Sequence, residues 1–223
     1  MKKYLLFIIL LSLTTGVYSQ DADSQDSGSQ DSKGYIGVSL GLAMLSGGLV
    51  DDEDIRTGID LGFINFGYRF TESIGVTANL ISSGHVVGDV DDDITLGLAY
   101  FGVGPTYTTS LGNTAWEIKP QIALSVKGKT KGSYADEAVF NGKGFIIGNS
   151  FVFGLSGNFQ ASINVDYLLG EIKEIEVDGI KVDYKAYVDP DNKINKFVVG
   201  FGLRYAFWYN FLIQNILLLL IAF

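Results

Sequence analysis

The sequence predicts an all-β fold, an eight-stranded antiparallel up-and-down β-barrel. Three observations support this prediction. Large apolar residues alternate with small or polar ones, which is the period of a β-strand. The 223 residues include 28 glycines but only 3 prolines, and 13% are aromatic, a composition that suits strands better than helices. Short and long connections also alternate along the chain, as expected when neighbouring strands run up and down.

Eight segments show the alternation. The first starts at Gly34 and places one apolar face on Ile36, Val38, Leu40, Leu42 and Met44. The clearest segment places Trp116, Ile118, Pro120, Ile122, Leu124 and Val126 opposite Glu117, Lys119, Gln121, Ala123, Ser125 and Lys127. The other six run approximately over Gly58–Phe70, Ser73–Ser83, Ile94–Thr108, Lys143–Ser156, Phe159–Leu169 and Lys196–Phe207.

Two of these segments change phase, at Phe63-Ile64 and at Tyr100-Phe101. A β-bulge, which adds one residue to one strand, would shift the apolar face in this way. A misplaced strand boundary would produce the same pattern, so both interpretations stay open at either place.

The connections separate into two classes. Residues 71–72, 109–113 and 157–158 are predicted to be tight turns, and residues 46–57, 84–93, 128–142 and 170–195 to be long, polar and acidic loops. The last loop has an alternating pattern of its own at 171–188, which predicts an extension of the seventh strand and a hairpin about Asp178-Gly179.

The chemistry of the two faces decides between a soluble ligand carrier and a transmembrane barrel. The polar face is rich in small residues, which suit a narrow interior and would form a poor soluble exterior. Its glycines are Gly37, Gly41, Gly62, Gly67, Gly97, Gly102, Gly104, Gly148, Gly154, Gly200 and Gly202. Aromatic residues next to the short turns are typical of an interfacial girdle, and these are Phe66, Tyr68, Phe70, Tyr107, Trp116, Phe159, Tyr205 and Phe207.

Three stretches carry a resemblance to a known family: FGYRF at 66–70, GPTYTTSLGN at 104–113 and FVVGFGLRYAF at 197–207. Residues 34–207 resemble the small bacterial outer-membrane β-barrel proteins of the OmpA transmembrane domain, OmpX and OmpW type. The resemblance implies an outer-membrane location, periplasmic turns and extracellular loops. It also implies contact with outer-membrane lipid and with the barrel assembly machinery, which would recognise a terminal strand carrying Phe201, Leu203, Tyr205 and Phe207.

The segments outside the barrel are of three kinds. Residues 1–19 have a basic start, an apolar run from Tyr4 to Leu13 and a polar end, which predicts a cleaved signal peptide; an uncleaved anchor is the alternative. Residues 20–33 have no apolar periodicity and are predicted to be a disordered acidic linker. Residues 208–223 form an apolar extension, interpreted as non-native or read-through sequence, as an interfacial helix or oligomer contact, or as an anchor.

Inward positions are predicted to hold a polar network of Asp60, Arg69, Glu117, Lys119, Gln121, Asp166 and Arg204, accompanied by Asn79, Gln160, Asn164 and Lys196. Charges of both signs in a narrow interior should pair, because an unpaired buried charge is costly. We expect Arg69, Glu117 and Arg204 to meet near the periplasmic end. The network is either a plug or an ion pathway in which Glu117 or Asp166 exchanges partners with Lys119, Arg204 or Arg69.

Several function classes are disfavoured. The formal charge of -9 leaves no basic stripe for nucleic acid, and without cysteine the chain has neither a disulfide framework nor a lipoprotein anchor. No cofactor is expected. The acidic stretches 51–54, 89–93 and 189–192 lack the spacing of a known calcium loop, so no metal site is assigned, although Ca²⁺ binding there is a minor alternative.

No catalytic residues are assigned either. The only histidine, His85, follows Ser82 and Ser83, but no family motif surrounds it and a solvated loop histidine is expected. The leading hypothesis is a non-enzymatic structural or surface-interaction barrel with a plugged interior, expected to be a monomer. An extracellular ligand would meet loops 46–57, 84–93, 128–142 and 170–195. The alternatives are a narrow porin-like channel for ions or small solutes and, with less support, a lipid-modifying barrel enzyme.

Overall fold

The computed structural model describes residues 33–50, 55, 57–88, 94–112, 114–132, 138–177, 180–183 and 192–207. Those residues form nine antiparallel strands and no helix, which confirms the predicted all-β class. The strands are β1 (Gly34–Ser46), β2 (Gly58–Arg69), β3 (Ile74–Val87), β4 (Ile94–Leu111), β5 (Thr114–Lys131), β6 (Ala138–Ser156), β7 (Phe159–Val177), β8 (Ile180–Asp183) and β9 (Lys193–Phe207).

Several predicted segments lie outside the described residues. They are the signal peptide 1–19, the linker up to residue 32, the acidic stretches 51–54, 89–93 and 189–191, and the extension 208–223. Nowhere in the described ranges is there a helix with the length and apolarity needed to cross a membrane.

Eight of the strands close into a ring. Each pairs with its sequence neighbour from β1 to β7, β7 pairs with β9, and β9 returns to β1. Strand β8 stands outside the ring and pairs only with the end of β7, where Val177 lies opposite Ile180. This pairing confirms the predicted hairpin; residues 178–179, between the two strands, lie outside the described residues.

The two ends of the ring differ in their connections. At the short-turn end, residues 70–73, 112–113 and 157–158 join the strands. Gly112 and Gly157 have φ of 64° and 55°, the left-handed region that glycine enters without steric cost, so these turns can be tight. The strand ends that carry the longer connections lie at the opposite end, which we call the long-loop end.

The strands reach further toward the long-loop end than the sequence suggests. Strand β3 continues to Val87, β5 to Lys131 and β7 to Val177, and β6 begins at Ala138, so the predicted loops 84–93, 128–142 and 170–195 are partly strand. Apolar side chains inside this end, including Val87, pack together and favour continued pairing. The extension of β5 carries lysines on its outer face, a pattern that is also typical of loop sequence.

The outer face of the ring is apolar. The five predicted apolar residues of β1 are all exposed, with Leu40 58% exposed, and Phe201 beside it on β9 is 71% exposed. Aromatic rings pair near the short-turn end, where Tyr68 contacts Phe70 and Phe159 contacts Tyr205. Apolar exposure on this scale indicates a surface that meets lipid rather than water.

The predicted bulge in β2 is confirmed, because the β2–β3 register shifts between Gly62 and Ile64 and both Phe63 and Ile64 point outward. At the second predicted bulge, the register between β4 and β5 shifts between Phe101 and Gly102. Phe101 pairs with Ser125 and Gly102 pairs with Ala123, so the extra residue belongs to β5 and not to β4. Strand β4 itself pairs with β3 without interruption. The prediction of a bulge within β4 is therefore wrong.

The bulge in β5 exchanges the inward and outward sides of the strand for the residues that follow it. Up to Ala123 the inward residues are those predicted, but after Leu124 and Ser125 the pattern shifts. Val126, predicted to face outward, is completely buried, whereas Lys127, predicted to face inward, is exposed.

The interior has an apolar part and a polar part. The apolar cluster fills the long-loop end and consists of Val50, Ile81, Val87, Leu96, Leu98, Tyr100, Ala123, Val126, Ile146, Leu168, Ile172 and Ile194. The inward residues of β4 are apolar up to Tyr100 and small or polar from Gly102 onward. This change in the chemistry of the inward side explains why the sequence appears to change phase at Tyr100-Phe101. The polar part lies nearer the short-turn end.

Candidate functional site

The polar part of the interior collects six of the seven predicted network residues as buried side chains; the seventh, Arg69, is half-buried at the short-turn end. Among the described residues, three carboxylates and three cations are buried, and these are Asp60, Glu117, Asp166, Lys119, Lys196 and Arg204. Opposite charges in equal number make an interior that carries little net charge, which limits the cost of burial.

The first ion pair joins β9 to β5. Arg204 Nη1 lies 2.8 Å from Glu117 Oε2, and the Tyr35 hydroxyl donates to the same oxygen at 3.4 Å. The guanidinium also lies over the Tyr35 ring, 4.1 Å from its centroid. Glu117 and Arg204 therefore meet as expected, and Arg69 lines the same cavity as Glu117.

Above this pair, a hydrogen-bond chain crosses three strands. Lys119 Nζ donates to Ser150 Oγ at 2.6 Å, and Ser150 Oγ donates to Asn164 Oδ1 at 2.7 Å. Gln121 is held in the same layer, because its Nε2 donates to Thr77 Oγ1 at 3.3 Å and its Oε1 accepts from Asn79 at 3.4 Å.

Asp166 reaches this layer beside Gly148, its pairing partner on β6. A Cβ at Gly148 would lie 2.6 Å from Asp166 Oδ1 and 3.2 Å from Lys119 Cε. The missing side chain thus provides the space in which Asp166 and Lys119 approach each other.

Gly148→Ala is expected to destabilise the barrel by about 1–3 kcal/mol, because the added methyl group forces two packed charged side chains to move. The matched control is Gly84→Ala on β3, where an added Cβ would meet nothing within 4 Å. Urea unfolding of the refolded barrels measures both. Equal stabilities for the two variants would contradict the close packing around Gly148.

The second ion pair lies deeper, next to the apolar cluster. Lys196 Nζ lies 2.6 Å from Asp60 Oδ1, donates to Ser83 Oγ at 3.3 Å and sits 4.4 Å from the centroid of the Tyr100 ring. Ser83 Oγ is in turn 3.0 Å from His85 Nε2. One ammonium group thereby links a carboxylate, a hydroxyl and an aromatic face.

His85 is not the solvated loop residue that the sequence suggests. It lies within β3, points into the barrel and is only 2% exposed. Strand β3 continues past its predicted end at Ser83. His85, two residues further along the strand, therefore points inward like Ser83. Ser82, between Ile81 and Ser83, has the opposite parity and lies on the outer face.

Other residues of the polar interior were not singled out from the sequence. Tyr35, Ser83 and Ser150 each contact a charged side chain, and Lys196 was assigned to the interior but not to the network. The alternation indicates which side of a strand a residue occupies, but not which charged groups it meets. The cross-strand register, which the sequence does not state, decides those contacts.

A cavity of about 530 Å³ occupies the short-turn end. Glu117 and Tyr35 contribute to its wall, and Lys33, Arg69, Glu72 and Gln160 add charged or polar groups. Within the described ranges, no group of three or more His, Cys, Asp or Glu side chains is arranged to hold a metal ion.

The predicted assembly strand is β9. Phe201 and Leu203 are exposed on its outer face, Tyr205 is partly exposed, and Phe207 stacks on Phe66 with ring centroids 6.4 Å apart. Gly34 lies directly opposite Phe207, and a Cβ there would overlap the phenyl ring. Recognition of this strand by the assembly machinery stays a prediction.

No protein-family model matches the sequence, and no curated protein matches it significantly. Solved structures do match. Neisserial surface protein A aligns with a TM-score of 0.56 at 11% identity, over 78% of this chain and 97% of that protein. The attachment invasion locus protein Ail of Yersinia pestis gives 0.48 at 13% identity, over 78% and 99%. The N-terminal β-barrel domain of Pseudomonas aeruginosa OprF gives 0.44 at 13% identity, over 80% and 100%.

At these identities the likeness concerns the fold. The match to Neisserial surface protein A agrees with the closed ring and the apolar outer face, and together they support an integral outer-membrane barrel. The resemblance seen in the sequence is confirmed at this level: the chain has the fold of the small bacterial outer-membrane β-barrel proteins.

Proposed function

We propose that this protein is a non-enzymatic outer-membrane barrel with a plugged interior and a structural or surface-interaction role. The observation that carries the proposal is the filled interior, in which buried charges of opposite sign pair across the barrel and an apolar cluster fills the long-loop end. An eight-stranded barrel is just wide enough for side chains to fill, so no separate plug domain is required.

A solute would have to disrupt two successive barriers. It would first separate Arg204 from Glu117, leaving at least one charge buried without its partner, at a cost of about 3–5 kcal/mol. It would then pass between the packed apolar side chains around Leu98 and Ile146, which offer no hydrogen bonds to replace its hydration shell.

A surface role is supported by the hairpin of β7 and β8. The hairpin pairs Glu174–Val177 with Ile180–Asp183 outside the ring, and no strand of the described residues pairs with the outer backbone edge of β8, which leaves that edge for a partner. Lys181 is 65% exposed there and lies 3.9 Å from Glu176.

The position of His85 counts against a lipid-modifying enzyme. A catalytic base must reach the proton that it abstracts. His85 and its neighbour Ser83 are enclosed in the barrel beside Lys196, whereas a lipid substrate would approach the outer face, where Ser82 lies.

A narrow channel is the second candidate, and the cavity at the short-turn end favours it. Its polar wall includes Arg69 and Glu117, two groups that were expected to exchange partners along an ion pathway. Several buried polar atoms also have no hydrogen-bond partner among the described residues, including Thr108 Oγ1, Asn79 Oδ1 and Asp166 Oδ1, as expected in an interior that admits water.

Conductance distinguishes the two candidates. The full-length mature chain, reconstituted in planar bilayers, is expected to show no stable openings, because the ion pairs and the apolar cluster block the interior. Glu117→Ala/Arg204→Ala is also expected to stay closed, since the apolar cluster remains. A large porin in the same bilayer checks the recording. Stable openings in the wild type that widen in the double variant would contradict the plug and support the channel.

A further inference from the structure

The cavity of about 530 Å³ at the short-turn end stops at a buried ion pair. Glu117, in the wall of the cavity, lies 2.8 Å from Arg204, and the apolar cluster fills the interior toward the long-loop end. Cavities of roughly 300–1,000 Å³ with a few convergent polar groups are typical ligand pockets. Because its inner end is closed, this cavity is suited to hold a molecule rather than to pass one.

Two cations lie opposite each other in the wall of the cavity. Gly34 pairs with Tyr68, and one step further along the β1–β2 register the Arg69 N–H donates to the Lys33 carbonyl at 2.6 Å. Both Lys33 and Arg69 line the cavity. Like charges directly opposite on neighbouring strands repel each other, so an anion placed beside them is favourable.

Arg69 also has an interaction within the protein. A guanidinium carries five N–H donors, so Arg69 can keep that interaction while it donates to an anion in the cavity. Lys33, immediately before β1, is exposed and brings an ammonium group with three donors to the rim. An anion at this place therefore meets two cationic groups.

Another part of the wall contributes a buried hydroxyl. Thr108 pairs with Glu117, and the Tyr35 hydroxyl reaches Glu117 from β1 at 3.4 Å, so the barrel is narrow at this level. Thr108 is 3% exposed and lines the cavity, and its Oγ1 has no hydrogen-bond partner among the described residues. A buried hydroxyl without a partner is costly, and an acceptor bound in the cavity would remove that cost.

The charges of the wall favour a ligand with a single negative charge. Apart from Glu117, which Arg204 neutralises, the charged residues of the described wall are Lys33, Arg69 and Glu72. They leave an excess of one positive charge, which one carboxylate balances. The Glu72 carboxylate repels a doubly charged phosphate more strongly than a singly charged carboxylate.

We propose that the cavity at the short-turn end binds the carboxylate group of a small solute that enters from that end. Lys33 and Arg69 hold the carboxylate, and Thr108 donates a hydrogen bond to it. Ser110 and Gln160, which also line the cavity, offer polar contacts to the rest of the solute. The inference rests on the proposed plug, which closes the inner end, and adds a ligand class and a position to it.

Binding of a small acid to the full chain tests the inference. The barrel is refolded in lipid nanodiscs, and N-acetylalanine is titrated while the backbone amide signals are followed by NMR. The acid is expected to shift the signals of residues around the cavity and to bind about tenfold more tightly than N-acetylalaninamide, its neutral analogue. Inorganic phosphate in its doubly charged form is expected to bind more weakly than the acid.

Thr108→Val is expected to weaken binding of the acid about tenfold, since it removes one hydrogen bond to a charged group. The substitution keeps the shape of the side chain and removes a buried hydroxyl that has no partner among the described residues, so the midpoint of urea unfolding is expected to stay unchanged or rise. Lys33→Gln is expected to weaken binding about threefold, as for an exposed charge. The matched control Lys127→Gln removes the same charge from the outer face of β5 and is expected to bind like the wild type.

Equal affinities for the acid and its amide, or equal affinities in Thr108→Val and Lys127→Gln, would overturn the inference, as would tighter binding of phosphate. The chain itself also supplies carboxylates, because residues 20–32, which immediately precede Lys33, include four aspartates. The full chain carrying Asp21→Asn/Asp23→Asn/Asp26→Asn/Asp31→Asn is therefore titrated in parallel. Binding seen only in this variant would assign the cavity to the chain's own carboxylates and overturn the solute site.

Conductance of the same preparation in planar bilayers is measured separately, because the inference rests on the plug. Stable openings would contradict the plug itself. A barrel that stays closed but does not distinguish the acid from its amide would overturn only the carboxylate site.

Discussion

Lys196→Met is expected to lower the free energy of unfolding by about 3–5 kcal/mol, the cost of removing one partner of a buried ion pair. The substitution keeps most of the side-chain volume but leaves the Asp60 carboxylate buried without its partner at 2.6 Å. It also removes the donor to Ser83 and the cation over the Tyr100 ring. Urea titration of the barrel in detergent or vesicles, followed by tryptophan fluorescence, measures the loss.

The double variant Lys196→Met/Asp60→Asn is the control for this prediction. It removes both charges, so most of the lost stability is expected to return, since a neutral amide costs less to bury than an unpaired carboxylate. If the single and double variants are equally unstable, shape rather than charge would explain the effect. A single variant as stable as the wild type would mean that the pair is open to water.

Leu40→Arg is expected to destabilise the barrel in a bilayer by about 2–4 kcal/mol, the cost of a lipid-facing arginine near the midplane. Leu40 lies midway along β1, between Leu61 on β2 and Phe201 on β9, and all three point outward. The free energy of folding into phosphatidylcholine vesicles, measured by denaturant titration, tests this expectation.

Met44→Arg on the same face of β1 is the matched control. Met44 lies near the long-loop end of the strand, where an arginine can reach the interface, so a cost of about 0–1 kcal/mol is expected. Equal costs at the two positions would contradict a bilayer around the middle of β1. An unchanged stability for Leu40→Arg would indicate that water surrounds the outer face.

The sequence predicts the fold well wherever the two sides of a strand differ in polarity. On β1 the outward residues are large and apolar and the inward ones small, so the parity of Leu40 is evident. On β4 the inward residues Leu96, Leu98 and Tyr100 are as apolar as the outward Phe101. Alternation in hydrophobicity cannot show which side faces the interior when both sides are apolar, and this is why the bulge was assigned to the wrong strand.

The contacts within the candidate site were harder to predict than its members. Alternation identified Asp60, Glu117 and Arg204 as inward residues, but the 2.8 Å pairing of Glu117 with Arg204 depends on how strands 87 residues apart in sequence meet across the barrel. The face reversal beyond Leu124 was also invisible, because neither glycine nor proline marks the β5 bulge. On the alternation alone Lys127 falls on the inward side of β5, whereas the structure exposes it.

The pairing of β1 with β9 has a consequence for the order in which the protein matures. It runs along all 13 residues of β1 without a bulge and brings Gly34 opposite Phe207. Contacts between such distant parts of a chain form slowly, because a long loop must close first. Until residue 207 has been synthesised, β1 has unpaired backbone groups that attract other strands. Until β9 pairs with it, the edge of β1 therefore has to be covered by something other than the barrel itself.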